Sequence, residues 1–97
     1  MADKLTGSKR QEALEKLPRW KEIDRRDGIT RTFIFTDFSA AFAFMTRVAL
    51  RAEQMDHHPE WFNVYNRLEV TLATHDASGV TQKDIDLAIF MDGLAVS

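Results

Sequence analysis

The stretch FNVYNRLEVTLAT, residues 62–74, decides the fold of this 97-residue chain. Leu68, Val70 and Leu72 alternate with more polar or smaller residues, which is typical of a β-strand with one buried face. The pair Asn66-Arg67 separates residues 68–74 from a shorter β-prone run at residues 62–65. The pattern therefore predicts a β-hairpin whose apolar face packs on a core.

A long apolar helix is predicted ahead of this hairpin, over residues 38–55, with Asp37 or Ser39 as its N-cap. Of its 18 residues 12 are apolar. Most of them form an arc roughly 160° wide, whereas a helix packed on one partner needs a stripe of about 100°. We expect two partners: the sheet of the same subunit, and a second surface that covers an edge containing Phe44 and Val48.

A first hairpin is predicted from residues 20–24 and 29–36, because Asp27-Gly28 lies between two β-prone runs. Ile29, Phe33 and Phe35 would share one face of its second strand. Ahead of it, residues 6–17 form an amphipathic pattern that Pro18 closes and that Thr6 or Ser8 could cap.

The C-terminal part predicts a third helix that follows a break at Gly79. Thr81 and Asp84 have the spacing of a capping box, with Asp in place of Glu, and Ile85, Ala88 and Ile89 follow. The order is then α-β-β-α-β-β-α. It predicts one α+β domain over residues 1–97, a four-stranded antiparallel sheet with three helices packed on one face.

Composition excludes several classes of function. The chain has no cysteine, which removes disulfides, thiolate zinc sites and cysteine nucleophiles. A net charge of −2 argues against a general nucleic-acid binder, and the small cluster of Arg25, Arg26 and Arg31 is typical of a solvated hairpin edge. No apolar run approaches the ~20 residues of a membrane span. We expect a cytoplasmic protein, with entry into the nucleus left open.

The three histidines flank the second hairpin, with His57 and His58 before it and His75 after it. An antiparallel hairpin returns the chain to its starting edge, so the three side chains can meet. Imidazole titrates near neutral pH, which allows neighbouring histidines to supply both a proton donor and a proton acceptor. Glu53 and Asp56 are close enough in sequence to orient their rings.

Two other interpretations of the histidines stay open at this point. Adjacent histidines before a proline can be ordinary loop residues, and three histidines can hold zinc. The pair His57-His58 lacks the i, i+4 spacing of a helical zinc site, which weighs against metal. Trp61, beside the pair, could pack in the core or form a wall of a pocket for a flat heterocycle.

At these residues the sequence resembles the pterin-4a-carbinolamine dehydratases. The resemblance runs from about residue 20 to the C-terminus and rests on Glu53, His57-His58-Pro59, Trp61, Tyr65, His75 and Asp84. Residues 44–50 and 56–66 look especially like the animal members. The chain departs from the family where residues 17–20 form a short link, at Ala43, where a glycine is common, and at Ala77, where animal relatives have a cysteine.

The resemblance implies a lyase that dehydrates 4a-hydroxytetrahydrobiopterin to quinonoid dihydrobiopterin and so supports tetrahydrobiopterin recycling. By similarity, His57, His58 and His75 would carry general acid and base catalysis, without metal or cofactor. The same similarity gives a set of residues around the pterin: Glu53, Asp56, Pro59, Trp61, Thr74, Asp76 and Ala77.

The resemblance also implies protein partners. Family members are expected to form homotetramers, as dimers of dimers, and animal relatives also act as transcriptional coactivators. The alternative function is therefore a non-catalytic dimerization cofactor of a homeodomain transcription factor.

Overall fold

The computed structural model describes residues 3–95. Seven helices and strands follow one another in the expected order, and a single 3₁₀ turn at His75–Ala77 precedes the last helix. The elements are α1 (Gly7–Glu15), β1 (Lys21–Glu22), β2 (Ile29–Ile34), α2 (Phe38–Met55), β3 (Glu60–Val64), β4 (Arg67–Leu72) and α3 (Gln82–Ala95). The predicted α+β class and element order are confirmed.

The four strands form one antiparallel sheet in the order β1-β2-β4-β3. Phe33 pairs with Leu68, and Val70 pairs with Trp61, so the alternation in β4 sets the core face of both neighbours. All three helices contribute to the cluster on this face, with Ala13, Val48 and Ile85 as examples. The other face carries exposed side chains of Ile34, Phe62 and Val64.

Helix α2 begins where Asp37 accepts a hydrogen bond of 2.8 Å from the backbone N–H of Ala40. This satisfies one of the donors that a helix start leaves unpaired. The helix ends at Asp56, whose backbone is left-handed with φ of 52°. Both predicted ends of this helix are therefore confirmed.

The expected outward edge of α2 was wrong. Phe44 is 5% exposed and Val48 is fully buried, because both point into the sheet, where the Phe44 ring lies 4.9 Å from that of Phe33. The apolar residues that face outward lie on the other side of the helix, and they include Phe42, 56% exposed, and Leu50, 65% exposed. The helix thus has a second apolar surface, but on different residues.

The first hairpin is shorter than predicted. Trp20 turns into the core, and its Nε1 donates to Asp92 of α3 at 2.8 Å, so only Lys21 and Glu22 remain as strand. A Cβ on Gly28 would lie 3.0 Å from Ile23 Cδ1 and 3.3 Å from the carbonyl oxygen of Leu72, so this turn packs tightly on β4. Within residues 3–95, no helix is long and apolar enough to cross a bilayer.

Candidate active site

All three histidines line one cleft of about 360 Å³ at the end of the sheet where α2 ends and β3 begins. This is within the size range of small-molecule sites. The cleft is lined by Arg26, Asp56, His57, His58, Glu60, Ala73, Thr74, His75, Asp76 and Lys83. The prediction that the second hairpin brings the histidines together is confirmed.

The left-handed residue Asp56 makes this convergence possible. It ends α2 and turns the chain, and the backbone N–H of His57 then still donates to the carbonyl of Ala52 at 3.0 Å. The register of the hairpin pairs Glu60 with Thr71. The segment after β4 therefore comes back beside the start of β3, and His75 reaches the pair.

The His57 ring forms a hydrogen bond with a buried carboxylate. Its Nε2 lies 2.5 Å from Oδ1 of Asp84, and Asp84 has no exposed surface. An ionised carboxylate can only accept, so Nε2 carries the hydrogen and Nδ1 remains the ring nitrogen available for proton transfer. A carboxylate placed in this way fixes the orientation and tautomer of the imidazole.

The other carboxylate oxygen of Asp84 accepts two further hydrogen bonds. Oδ2 accepts from the backbone N–H of Thr81 at 2.9 Å and from the hydroxyl of Thr74 at 2.8 Å. Since the Thr74 hydroxyl donates to Asp84, the Thr81 hydroxyl, 2.6 Å away, donates to Thr74. Asp84 therefore both closes the N-terminus of α3, as the capping-box pattern predicts, and fixes His57.

His58 has a carboxylate partner of a different kind. Its Nε2 lies 2.8 Å from Oε1 of Glu53, in the last turn of α2, and both side chains are mostly exposed. Such an exposed pair contributes little to stability, but it favours one ring orientation. The expected orienting role of Glu53 is supported by this contact.

His75 is placed by its backbone. It opens the 3₁₀ turn, which Ser78 ends in a left-handed conformation with φ of 55°. Thr74 and Gly79 pair across the base of the turn. Within residues 3–95, no side chain hydrogen-bonds the His75 ring, so His75 differs from the two carboxylate-held histidines.

The other expected substrate residues divide into two groups. Asp56, Thr74 and Asp76 line the cleft. Pro59, Trp61 and Ala77 are absent from the part of the cleft wall that residues 3–95 form, and Trp61 packs against the core instead. Strand pairing explains the position of Trp61: it pairs with Val70, so both side chains lie on the core face of the sheet.

Four lining residues were not predicted: Arg26, Glu60, Ala73 and Lys83. Arg26, which the sequence suggested to be on a solvated edge, forms an ion pair with Glu60 across the cleft. No local pattern marks either residue. Asp84 was expected as a helix cap, and its contact with His57, 27 positions earlier, follows only from the packing of α3.

The arrangement can move protons to and from a bound molecule. Three imidazoles surround one space, two of them hydrogen-bonded to a carboxylate, and carboxylates of Asp56 and Asp76 add hydrogen-bond acceptors. Among residues 3–95, no three His, Asp or Glu side chains are grouped as metal ligands. Fold and site together define a small α+β domain with a histidine-lined pocket.

Comparison with known proteins places this domain. The sequence model described as pterin 4 alpha carbinolamine dehydratase matches residues 3–94, and the chain belongs to that family. A Burkholderia multivorans protein, provisionally named pterin-4-alpha-carbinolamine dehydratase, is 57% identical over 98% of this chain and 93% of its own length. A Rhodopseudomonas palustris protein with the same provisional name is 59% identical over 98% of this chain and 94% of its own.

A solved structure extends the likeness to three dimensions. The crystal structure of a transcriptional coactivator/pterin dehydratase from Brucella melitensis is similar with a TM-score of 0.92. The two chains are 55% identical, and the match covers 96% of this chain and 99% of that one. The fold is therefore that of a solved relative over nearly its whole length.

Proposed function

We propose that this protein is a lyase that dehydrates 4a-hydroxytetrahydrobiopterin to quinonoid dihydrobiopterin and so supports tetrahydrobiopterin recycling. The observation that carries the proposal is the convergence of His57, His58 and His75 in one cleft of a domain of this family. Loss of water from a carbinolamine requires proton transfer at two atoms, and histidines perform such transfers at neutral pH.

The reaction balances with protons alone. The bond between C4a and the hydroxyl oxygen breaks, a proton joins that oxygen and water leaves. The proton on N5 is removed, and its bonding electrons form the double bond between N5 and C4a. No electrons leave the substrate, so the reaction needs no redox cofactor, and the proposal assigns both proton transfers to the histidines.

The two carboxylate-held histidines suit the acceptor role. In its neutral form, His57 donates from Nε2 to Asp84 and can accept a proton only at Nδ1. When His57 takes a proton, the buried carboxylate stabilises the imidazolium. The same reasoning applies to His58 and Glu53, with a weaker effect because that pair faces water.

His75 suits the donor role, because no carboxylate in the described chain holds its ring in one tautomer. As an imidazolium it can protonate the leaving oxygen. Around the three rings, Asp56 and Asp76 offer acceptors for the amino and ring N–H groups of a pterin.

The test is turnover of 4a-hydroxytetrahydrobiopterin by the purified full chain. We expect His57→Ala and His75→Ala each to reduce kcat by about 10²-fold or more, the usual scale for losing a general acid or base. A wild-type protein that leaves the spontaneous rate of dehydration unchanged would overturn the proposal. Lys16→Ala is the control, because Lys16 is exposed and lies at the end of α1.

A second function, association with other chains, is favoured by the outward face of α2. Phe38 and Phe42 lie side by side with ring centroids 5.8 Å apart, and Leu50 and Ala49 continue the exposed surface. Exposed apolar surface of this kind marks interaction sites. We propose that it supports a homotetramer or the docking of a homeodomain transcription factor, and the Brucella melitensis relative is described as a transcriptional coactivator.

The two functions are separable by experiment. A charge on the outward face of α2, as in Phe42→Glu, should weaken association and preserve turnover. Loss of His75 should do the reverse. A protein that binds a transcription factor but never dehydrates the pterin would favour the non-catalytic alternative.

A further inference from the structure

The loop that carries His75 begins at Thr74 and ends at Gly79, and these two residues pair with each other. The backbone N–H of Thr74 donates to the carbonyl of Gly79 at 2.8 Å, and the N–H of Gly79 donates back at 3.3 Å. These two hydrogen bonds form the base of the loop and fix its ends relative to each other. Whatever holds the base also sets the position of the His75 ring, which has no hydrogen bond of its own in the described chain.

Asp27, in the turn between β1 and β2, contacts this base directly. Its Oδ1 accepts a hydrogen bond of 3.2 Å from the backbone N–H of Val80. A Cβ on Gly79 would lie 2.7 Å from Oδ2 of Asp27 and 2.3 Å from Cδ of Lys4, so the Asp27 carboxylate and the Lys4 side chain both lie against the Gly79 backbone. The carbonyl of Val80 accepts from Leu5 at 2.7 Å.

Arg10 of α1 fixes the Asp27 carboxylate. Its Nη1 lies 3.0 Å from Oδ1 of Asp27, and its Nη2 lies 2.8 Å from Oε1 of Glu22. Burial acts to lower the pKa of Arg10, but the hydrogen bonds and charges of Glu22 and Asp27 outweigh it and raise that pKa. The pair is only partly exposed, so its geometry is better defined than that of a surface ion pair.

We propose that Asp27 is a positioning residue for His75: it ties the turn of the first hairpin to the base of the His75 loop. The residue beside it, Arg26, lines the cleft, so the same turn forms a wall and holds a loop. The catalytic part of this inference rests on the proposed dehydratase function. The structural part does not.

The test compares Asp27→Ala with Asp27→Asn and Glu22→Gln. Asp27→Ala removes the acceptor for Val80, and Asp27→Asn keeps an oxygen there. Glu22→Gln removes a charge beside Arg10 but leaves the Arg10–Asp27 and Asp27–Val80 contacts in place. Three readouts are measured: amide hydrogen exchange at Val80, the imidazole NMR signals of all three histidines, and kcat with KM.

For Asp27→Ala we expect exchange at Val80 to rise about 10-fold, the scale of one lost hydrogen bond. The His75 signals should shift while those of His57 and His58 stay in place. The value of kcat should fall several-fold, and KM should change by a smaller factor. Asp27→Asn should recover most of these values, and Glu22→Gln should match the wild type. A general loss of stability would instead move all three histidines together.

Wild-type Val80 exchange and His75 signals in Asp27→Ala would overturn the inference, and so would equal changes in Glu22→Gln. If Asp27→Ala does not fold, Gly79→Ala is measured beside Asp27→Asn, because its added methyl must displace the side chains of both Lys4 and Asp27. In Gly79→Ala, unchanged imidazole NMR signals of His75 would overturn the proposed positioning role of Asp27. If Asp27→Ala alters the His75 signals but the wild type shows no turnover, the positioning role of Asp27 is supported and the dehydratase function is refuted.

Discussion

His57 and Asp84, 27 positions apart, form a buried dyad in which Nε2 and Oδ1 are 2.5 Å apart. The carboxylate that caps α3 is thus also the partner of a histidine that follows α2. Because one group has both tasks, folding of the last helix and orientation of the imidazole are coupled. Substitutions at either residue should change stability and chemistry together.

We predict that Asp84→Asn lowers kcat by at least about 10-fold, because an amide can present its NH₂ to His57 and reverse the tautomer. Steady-state kinetics of the purified variant provide the measurement. Asp86→Asn is a matched control on the same helix, since Asp86 is exposed and pairs only with Gln82 in the described chain. Equal kinetics in both variants would remove Asp84 from the mechanism.

A separate prediction concerns stability. Asp84→Ala leaves the Thr81 N–H, the Thr74 hydroxyl and the His57 ring without their buried acceptor. We expect the free energy of unfolding to fall by about 1–3 kcal/mol, the usual scale for an unpaired buried polar group. Urea denaturation measures it, and a change below the error of the method would contradict the network.

The histidines should differ from one another in stability. From sequence alone, loss of either His57 or His75 would be expected to leave the thermal melt almost unchanged. His57 is only 8% exposed and bonds a buried carboxylate, so His57→Ala should lower the melting temperature clearly. His75 is exposed, and His75→Ala should barely lower it. Calorimetry of both variants, beside their turnover, tests this difference.

The limits of sequence-based inference are visible in α2. Its ends were predicted correctly because Asp37 and the residues near Asp56 are local signals. The side that faces outward was not, because a wide apolar arc fits the sheet at either edge. The sheet covers the edge with Phe44 and Val48, and this choice depends on how the helix crosses β4.

The site shows the same division. Convergence of the histidines follows from the topology of one hairpin, so it could be predicted. The partner of His57 could not, since the two residues are 27 positions apart and their contact depends on how the second hairpin and α3 pack. Arg26 belongs to the first hairpin, and it lies at the cleft because β2 pairs with β4 in the sheet.

Activity should survive exhaustive chelation. The proposed chemistry uses ring nitrogens as proton carriers, and no three candidate ligands are grouped within residues 3–95. Turnover before and after dialysis against a chelator, with metal analysis of the same samples, measures this. Stoichiometric zinc, with activity lost on its removal and restored on its return, would favour the metal interpretation.

The last prediction places the interface between subunits on the outward face of α2. Phe42 and Leu50 are more than half exposed, and burying a Phe-sized side chain contributes roughly 1.5–3 kcal/mol. In a two-fold interface each contact occurs twice, so a few residues can hold subunits together. We therefore expect a tetramer for the wild type and smaller species for Phe42→Glu and Leu50→Glu in light scattering at micromolar concentration.

Two further variants make the experiment decisive. Phe44→Glu places a charge in the core, so it should unfold the chain rather than dissociate it. Ile34→Glu changes an equally exposed apolar residue on the outer face of the sheet and should leave the assembly intact. A monomeric wild type would refute the interface on α2. Dissociation by Ile34→Glu alone would move the interface to the open face of the sheet.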